Sequence, residues 1–200
     1  MSFLVNGDPL SFQEWPKIAR FSRDIVITEK IDGTNAQIII YDDGTEIAAA
    51  SRTTLITPEK DNYGFARWVQ DNKFDLLNLG PGRHFGEWWG SGIQRKYGME
   101  CKLFSLFNTS RWTSRFNLDG RVDSTETHTC IEVPSCQVVP VIYSGPFLTE
   151  AIEESLDLLI TKGSVASQYT FYDPEGVVVF HSASGAMFKK TIGDDGAKSR

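Results

Sequence analysis

This 200-residue sequence is short of cysteine, histidine and net positive charge, and each shortage removes a class of protein. Cys101, Cys130 and Cys136 are odd in number and lack the spacing of a disulfide framework. A reducing, cytoplasmic setting is therefore expected, and the Asn108-Thr109-Ser110 sequon is incidental in it. His84, His128 and His181 lie far apart, and His128-x-Cys130 with Cys136 does not match a zinc-site spacing. Twenty basic against 26 acidic residues give a net charge of -6, which argues against coating nucleic acid by bulk charge. A local basic groove is still compatible with that total, because steering depends on how charge is distributed. No apolar run is long enough to span a membrane, and the N-terminus has no basic stretch leading into an apolar core. Internal repeats, low-complexity tracts, linker-like stretches and a Walker-type glycine loop are all missing. What is present, 40% hydrophobic and 23% charged residues, is the composition of one soluble domain with a sizeable core.

The chain punctuates itself into many short strands and few helices. The segment up to Arg23 carries scattered aromatics (Phe3, Phe12, Trp15, Phe21) and is expected to be irregular or partly helical packing. Strands are expected over Asp24–Glu29, Ala36–Tyr41 and, after the turn signal Asp42-Asp43-Gly44, over Thr45–Ser51. Together they predict a three-stranded antiparallel meander with Lys30 at one end. A helix capped by Asp61 or Asn62 and running to about Asn72 presents Phe65, Trp68, Val69 and Asn72 on one face. Gly80-Pro81-Gly82 breaks the chain, and strands are expected over Arg83–Trp89, Glu100–Asn108, Thr129–Val133 and Gln137–Tyr143. The clearest helix begins near Thr149, with Ala151, Ile152, Leu156, Leu159 and Ile160 on one face and Lys162-Gly163 at its end. Gly176–His181 and Ala186–Ile192 close the chain as strands. The class is α+β with largely antiparallel sheets.

Five segments put polar or charged residues where a strand-rich core does not otherwise want them. They are Lys30-Ile31-Asp32-Gly33, Arg52 past the third strand, Phe85-Gly86-Glu87-Trp88, Asp173-Pro174-Glu175-Gly176-Val177-Val178-Val179, and Phe188-Lys189-Lys190. A lysine between two apolar strands is a poor packing choice, and it becomes a nucleophile when cations or desolvation disfavour its ammonium form. Glu87, inside an aromatic strand, needs a hydroxyl, a cation or a metal as partner. Strand alternation lets only one of Lys189 and Lys190 point inward.

Singly these signals are weak; in this order, together with Lys102-Leu103-Phe104-Ser105-Leu106-Phe107, they resemble the covalent nucleotidyltransferase superfamily of ATP-dependent ligases and mRNA capping enzymes. The string Glu29-Lys30-Ile31-Asp32-Gly33-Thr34-Asn35 is most similar to RNA ligases of the RNA ligase 2 branch. The resemblance runs from about Lys17 to Ile192. It implies a nucleotidyltransferase fold, the ATP-grasp-like ligase adenylation domain, with antiparallel sheets flanked by helices. It also implies ATP and Mg²⁺ or Mn²⁺ as cofactors, and RNA with 5′-phosphate and 3′-hydroxyl ends as partner. The protein would act as a monomer away from membranes.

By the same resemblance Lys30 is the nucleophile that takes AMP from ATP, and Lys189 or Lys190 contacts the AMP and pyrophosphate oxygens. Glu29 and Ile31 flank the nucleophile beside the nucleotide, the backbone of Glu29 against the adenine edge. Asn35 contacts the α-phosphate or a metal-bound water, and Arg52 the ribose or an incoming 5′-phosphate. Glu87 accepts from a ribose hydroxyl, Phe104 stacks on adenine with Phe107 as the competing choice, and Glu175 is the divalent-metal ligand. Arg83, Arg95, Lys96 and Arg111 are either a phosphate track or ordinary solvated charges. Residues 1–200 are expected to be a single nucleotidyltransferase domain, since the eight residues after Ile192 hold neither an oligonucleotide-binding fold nor another appended domain. A DNA ligase, a capping-type guanylyltransferase and a non-catalytic binding module are the competing readings.

Overall fold

The computed structural model describes residues 4–5, 8–9, 14–114, 129–131 and 135–193. Apart from two small pairs, β1 (Leu4–Val5) with β2 (Asp8–Pro9) and β9 (Trp112–Ser114) with β10 (Thr129–Ile131), its strands form two sheets. The larger contains β4 (Thr34–Ile40), β5 (Ile47–Ser51), β6 (Leu55–Ile56), β7 (Gly82–Gly90), β8 (Lys102–Leu106) and β11 (Cys136–Val138), in the order β11-β8-β7-β4-β5-β6. The smaller contains β3 (Asp24–Lys30), β12 (Val141–Pro146), β13 (Gly176–His181) and β14 (Ala186–Thr191), in the order β12-β3-β13-β14. Neighbours run antiparallel in both, except that β11 is parallel to β8.

Period-two alternation decides which side chains each sheet buries. On β4, Ala36, Ile38 and Ile40 turn to one face, where they pack with Trp88 of β7, Phe104 of β8 and Phe65, Ala66 and Val69 of α1 (Phe65–Asp71). The Asp61 carboxylate accepts the backbone amides of Ala66 at 2.8 Å and Arg67 at 3.1 Å, so it satisfies donors that the first helical turn leaves without partners. Helix α2 (Lys73–Leu76) adds Leu76 to the same core. The smaller sheet turns Ile25, Ile27, Val177 and Val179 toward Ala151, Leu156 and Leu159 of α3 (Thr149–Lys162). Gly163, at φ 92°, ends that helix as expected, whereas Ile160 is solvent-exposed. A third cluster of Ile31, Trp89, Tyr97, Leu103, Val139 and Ala166 joins the two sheets.

Three expectations need correction. The meander does not form: the hairpin over Asp42–Gly44 pairs β4 with β5, but β3 belongs to the other sheet. Lys30 therefore ends one sheet, and the chain crosses to the other within residues 31–33. The expected strand Gln137–Tyr143 is likewise two strands, one in each sheet, divided at Val139-Pro140. Pro140 has no amide for a ladder, while its carbonyl accepts the Glu29 amide at 3.0 Å. Finally, Trp15 in the opening segment is exposed rather than packed, Phe21 is largely exposed with its ring 4.4 Å from that of Phe147, and Phe3 and Phe12 lie outside the described residues. Of the expected strand Thr129–Val133, β10 covers Thr129–Ile131 and the remainder also lies outside them. Among the described residues, no helix is long and apolar enough to cross a membrane.

Phe104 is fully buried, with its ring 5.1 Å from that of Phe65 and 5.9 Å from that of Trp68. It also lies over Gly86, where an added Cβ would meet the Phe104 ring at 2.6 Å. Phe104→Ala is expected to lose about 3–5 kcal/mol of stability in urea unfolding, and Phe107→Ala on the exposed face within about 0.5 kcal/mol.

Candidate functional site

The end of β3 and the start of β13 meet because Lys30 pairs with Gly176 in the sheet register. Glu175 immediately precedes that pair, and its Oε1 lies 2.5 Å from Lys30 Nζ, each side chain about four-fifths buried (22% and 19% exposed). Oε2 of Glu175 is buried and has no hydrogen-bond partner. No group of three or more His, Cys, Asp or Glu side chains capable of holding a metal exists among the described residues. One carboxylate with a free buried oxygen fits a hard divalent ion that takes its other ligands from substrate phosphates and water.

The larger sheet contributes the opposite wall. Asn35 and Glu87 are register partners on β4 and β7. Glu87 Oε2 accepts from Asn35 Nδ2 at 2.9 Å, and Oε1 accepts the Gly33 amide at 3.0 Å. Only glycine permits this approach: a Cβ on residue 33 would lie 2.5 Å from the Trp88 carbonyl oxygen. Burial pushes Glu87 up to about 7, against the opposing effects of the Asn35 and Gly33 hydrogen bonds and the Lys30 charge. The carboxylate thus stands at the junction of the larger sheet and the crossing at residues 31–33.

The lysine doublet resolves by alternation. Lys190 pairs with Val177, whose side chain faces α3, and its Nζ forms an ion pair with Glu153 of that helix. Lys189 pairs with Val178 and projects from the other face, the one that carries Lys30. The Lys190 side chain is thereby directed to α3, and exposed Lys189 lies on the face that carries Lys30.

Of the other expected residues, Glu29 is expected to act through its backbone, an expectation that the position of its side chain does not alter. Glu29 is on the α3 face, where its Oε2 accepts the Ala166 amide at 2.8 Å; burial raises its carboxyl above the ordinary value, opposed by Ser164 and Ala166. Ile31 is buried in the cluster between the sheets. Both anchor the strand end by packing rather than presenting a side chain to a ligand. Phe104 faces α1 and not the Glu87 side, so its expected stacking role is corrected: register pairs it with Trp88, while Ser105 pairs with Glu87. Alternation places Phe107 on the Glu87 face instead, 42% exposed, and its amide donates to the Phe85 carbonyl at 3.0 Å. Phe85, 55% exposed, shares that face, since it lies two residues before Glu87 on β7.

Arg52 is exposed one residue beyond Ser51, which pairs with Ala36. The cations read as either a phosphate track or solvated charges have separate surroundings. Arg83 Nη1 donates to Gln37 Oε1 at 3.3 Å. Arg111 Nη2 donates to the Leu79 carbonyl at 2.9 Å, and its guanidinium carbon lies 4.5 Å from the Trp112 ring centre. Arg95 is engaged by Asp32 and Asp173, which leaves exposed Lys96 alone. Sequence reasoning also passes over Phe85 and Tyr97. Counting by twos from Glu87 finds the first; Tyr97 bonds a residue 65 positions away and leaves no local signal.

Residues 23–191 match a family model described as RNA ligase. Among solved structures, the chain is similar to Naegleria gruberi RNA ligase. A variant of that enzyme with ATP and Mn superposes with a TM-score of 0.55, a variant with AMP and Mn with 0.53, and the enzyme with PPi with 0.52. Each is 18% identical and covers 84% of this chain, whereas this chain spans 49% of each. At that identity the matches establish the fold. No match was found among curated proteins.

A raised carboxyl makes a signed prediction. Glu87 binds its proton more tightly folded than unfolded, so stability is lost as pH rises from about 4.5 to about 7 and stays lost above. In urea titrations, wild type is expected to fall by about 3 kcal/mol relative to Glu87→Gln across that window. Parallel pH profiles for the two proteins would contradict the assignment.

Proposed function

This chain belongs to the RNA ligase family, and from that membership we propose that it is an ATP-dependent RNA ligase that works through a lysyl-adenylate on Lys30. The observation that carries the reading is the Lys30–Glu175 contact facing a buried Glu87, because a binding module needs no partly buried nucleophile. In the first step Lys30 leaves Glu175 and gives up a proton to solvent, its neutral Nζ attacks the α-phosphorus of ATP, and a second proton passes from nitrogen to solvent as the phosphoramidate forms. The bond from that phosphorus to the bridging oxygen breaks, and pyrophosphate departs. A 5′-phosphate oxygen of RNA then takes the AMP, which restores the Lys30 amine. A 3′-hydroxyl finally attacks the activated 5′-phosphorus, closes the phosphodiester and releases AMP.

The neighbours take roles their chemistry allows. Glu87 accepts from a ribose hydroxyl, and Asn35 is held beside it to meet the α-phosphate. Phe107, with Phe85, provides the aromatic platform for adenine that Phe104 cannot, since any base presents a π-face. Lys189 stabilises charge on the phosphate oxygens, and exposed Arg52 meets the incoming 5′-phosphate. Glu175 would hold Mg²⁺ or Mn²⁺, which supplies positive charge to the transferring phosphoryl group.

Sealing of matched nicked RNA, nicked DNA and single-stranded RNA with ATP and Mg²⁺ or Mn²⁺ tests the proposal. Wild type is expected to seal RNA and Lys30→Ala is not. Sealing confined to nicked DNA would move the assignment to a DNA ligase, and a GMP adduct formed from GTP would move it to a capping-type enzyme. In single-turnover adenylation, Lys189→Ala is expected to be slower by about 100-fold and Lys190→Ala by less than about threefold. Equal losses would contradict the division of the doublet.

A further inference from the structure

The connection from β7 to β8, residues 91–101, holds a strained backbone. Gln94 (φ 41°), Lys96 (φ 62°) and Tyr97 (φ 50°) all occupy the left-handed region that side chains other than glycine rarely adopt. Such strain persists only where surrounding contacts over-determine it, and here they do. Tyr97 is fully buried, with its ring 5.2 Å from that of Trp89 and 4.8 Å from that of Phe171. Its hydroxyl oxygen accepts the Asp32 amide at 2.8 Å.

Two residues earlier, Arg95 reaches both loops of the site. Its Nε donates to Asp32 Oδ2 at 3.1 Å, and its Nη1 to Asp173 Oδ2 at 2.7 Å and to the Asp173 carbonyl at 3.0 Å. Asp32 lies two residues after the nucleophile, and Asp173 two residues before the carboxylate that holds it. With Asp173 78% exposed, ion pairs of this kind add little to folding, so the value of the contact lies in its geometry. The planar guanidinium spans two acceptors at fixed angles, which a lysine point charge does not reproduce.

We propose that Arg95, seated by Tyr97, is a positioning residue that ties the Lys30 loop to the Glu175 loop and so sets the contact between them. The consequence for catalysis rests on the ligase reading above; the positioning itself does not. The Arg95 side chain bonds Asp32 and Asp173 rather than Lys30 or Glu175, and it acts through them.

Limiting acetylation of the ligand-free protein with acetic anhydride, followed by peptide mass spectrometry, reads the Lys30–Glu175 contact without ligase activity. In Arg95→Ala, Lys30 is expected to label about fivefold faster than in wild type, with exposed Lys60 and Lys162 unchanged, an effect in the range of coupled neighbouring residues. Arg95→Lys should fall between them. The double variant of Arg95→Ala with Asp173→Ala should label no faster than Arg95→Ala alone, since both remove the same tie. Unchanged Lys30 labelling in Arg95→Ala overturns the proposal, as does an equal rise at every lysine, which would indicate general loosening. Adenylation by intact mass with ATP and Mn²⁺ is the second arm. The Arg95→Ala rate should drop and the Mn²⁺ concentration for half-maximal rate should rise. An unchanged rate and Mn²⁺ dependence beside faster Lys30 labelling overturns any catalytic consequence. A wild type that gains no AMP while its labelling responds as expected overturns the ligase reading and supports the positioning.

Discussion

The Lys30–Glu175 ion pair is the contact on which the arrangement of the site depends. Removing two charges from water costs more than a single mutual attraction reliably returns, so a partly buried pair is a poor device for stability. The β3–β13 ladder brings Lys30 opposite Gly176 and, by chain continuity, Glu175 beside it, while the side-chain contact itself depends on the loops that follow Lys30 and precede Glu175. Glu29, one residue back, is buried on the other face of the sheet and holds the loop after α3 through the Ala166 amide. Alternation at the end of one strand thus separates the buried Glu29 carboxyl from the Lys30 amine.

The two sheets stand on separate cores, one under α1 and α2 and one under α3. They meet at the points where the chain passes from one to the other, residues 31–33 and 139–140. Both crossings sit next to the site. Gly33 lets the backbone approach Trp88 closely enough to donate to Glu87, and Pro140 ends one ladder while its carbonyl caps the next. The placement of Lys30, Glu175 and Glu87 is therefore a product of topology. Neither sheet alone supplies Lys30, Glu175 and Glu87.

The longer strands, the two longer helices and the order of the polar segments were legible because each rests on local chemistry: alternation, an Asp at a helix start, a glycine at a helix end. The short β1, β2, β6, β9 and α2 hold too few residues to show a period. Sheet membership was not, since a turn-like spacing between β3 and β4 looks the same whether the strands pair or part. The same limit explains Phe104 and Phe107. Alternation places them on opposite faces, but only the packing of Phe65 and Trp68 decides which face is covered. Lys189 and Lys190 were undecided for that reason and are separated by Glu153 on α3. Arg95 looked like a surface cation because Asp32 and Asp173 are remote from it in sequence.

The central claim is that Lys30, and no other amine, receives AMP. After removal of any pre-existing adduct, incubation with ATP and Mn²⁺ followed by tandem mass spectrometry of proteolytic peptides locates the modification. The account predicts one AMP on the peptide containing Lys30 and none on that containing Lys189 and Lys190. An adduct on the lysine doublet, or no adduct under any divalent ion, would contradict it.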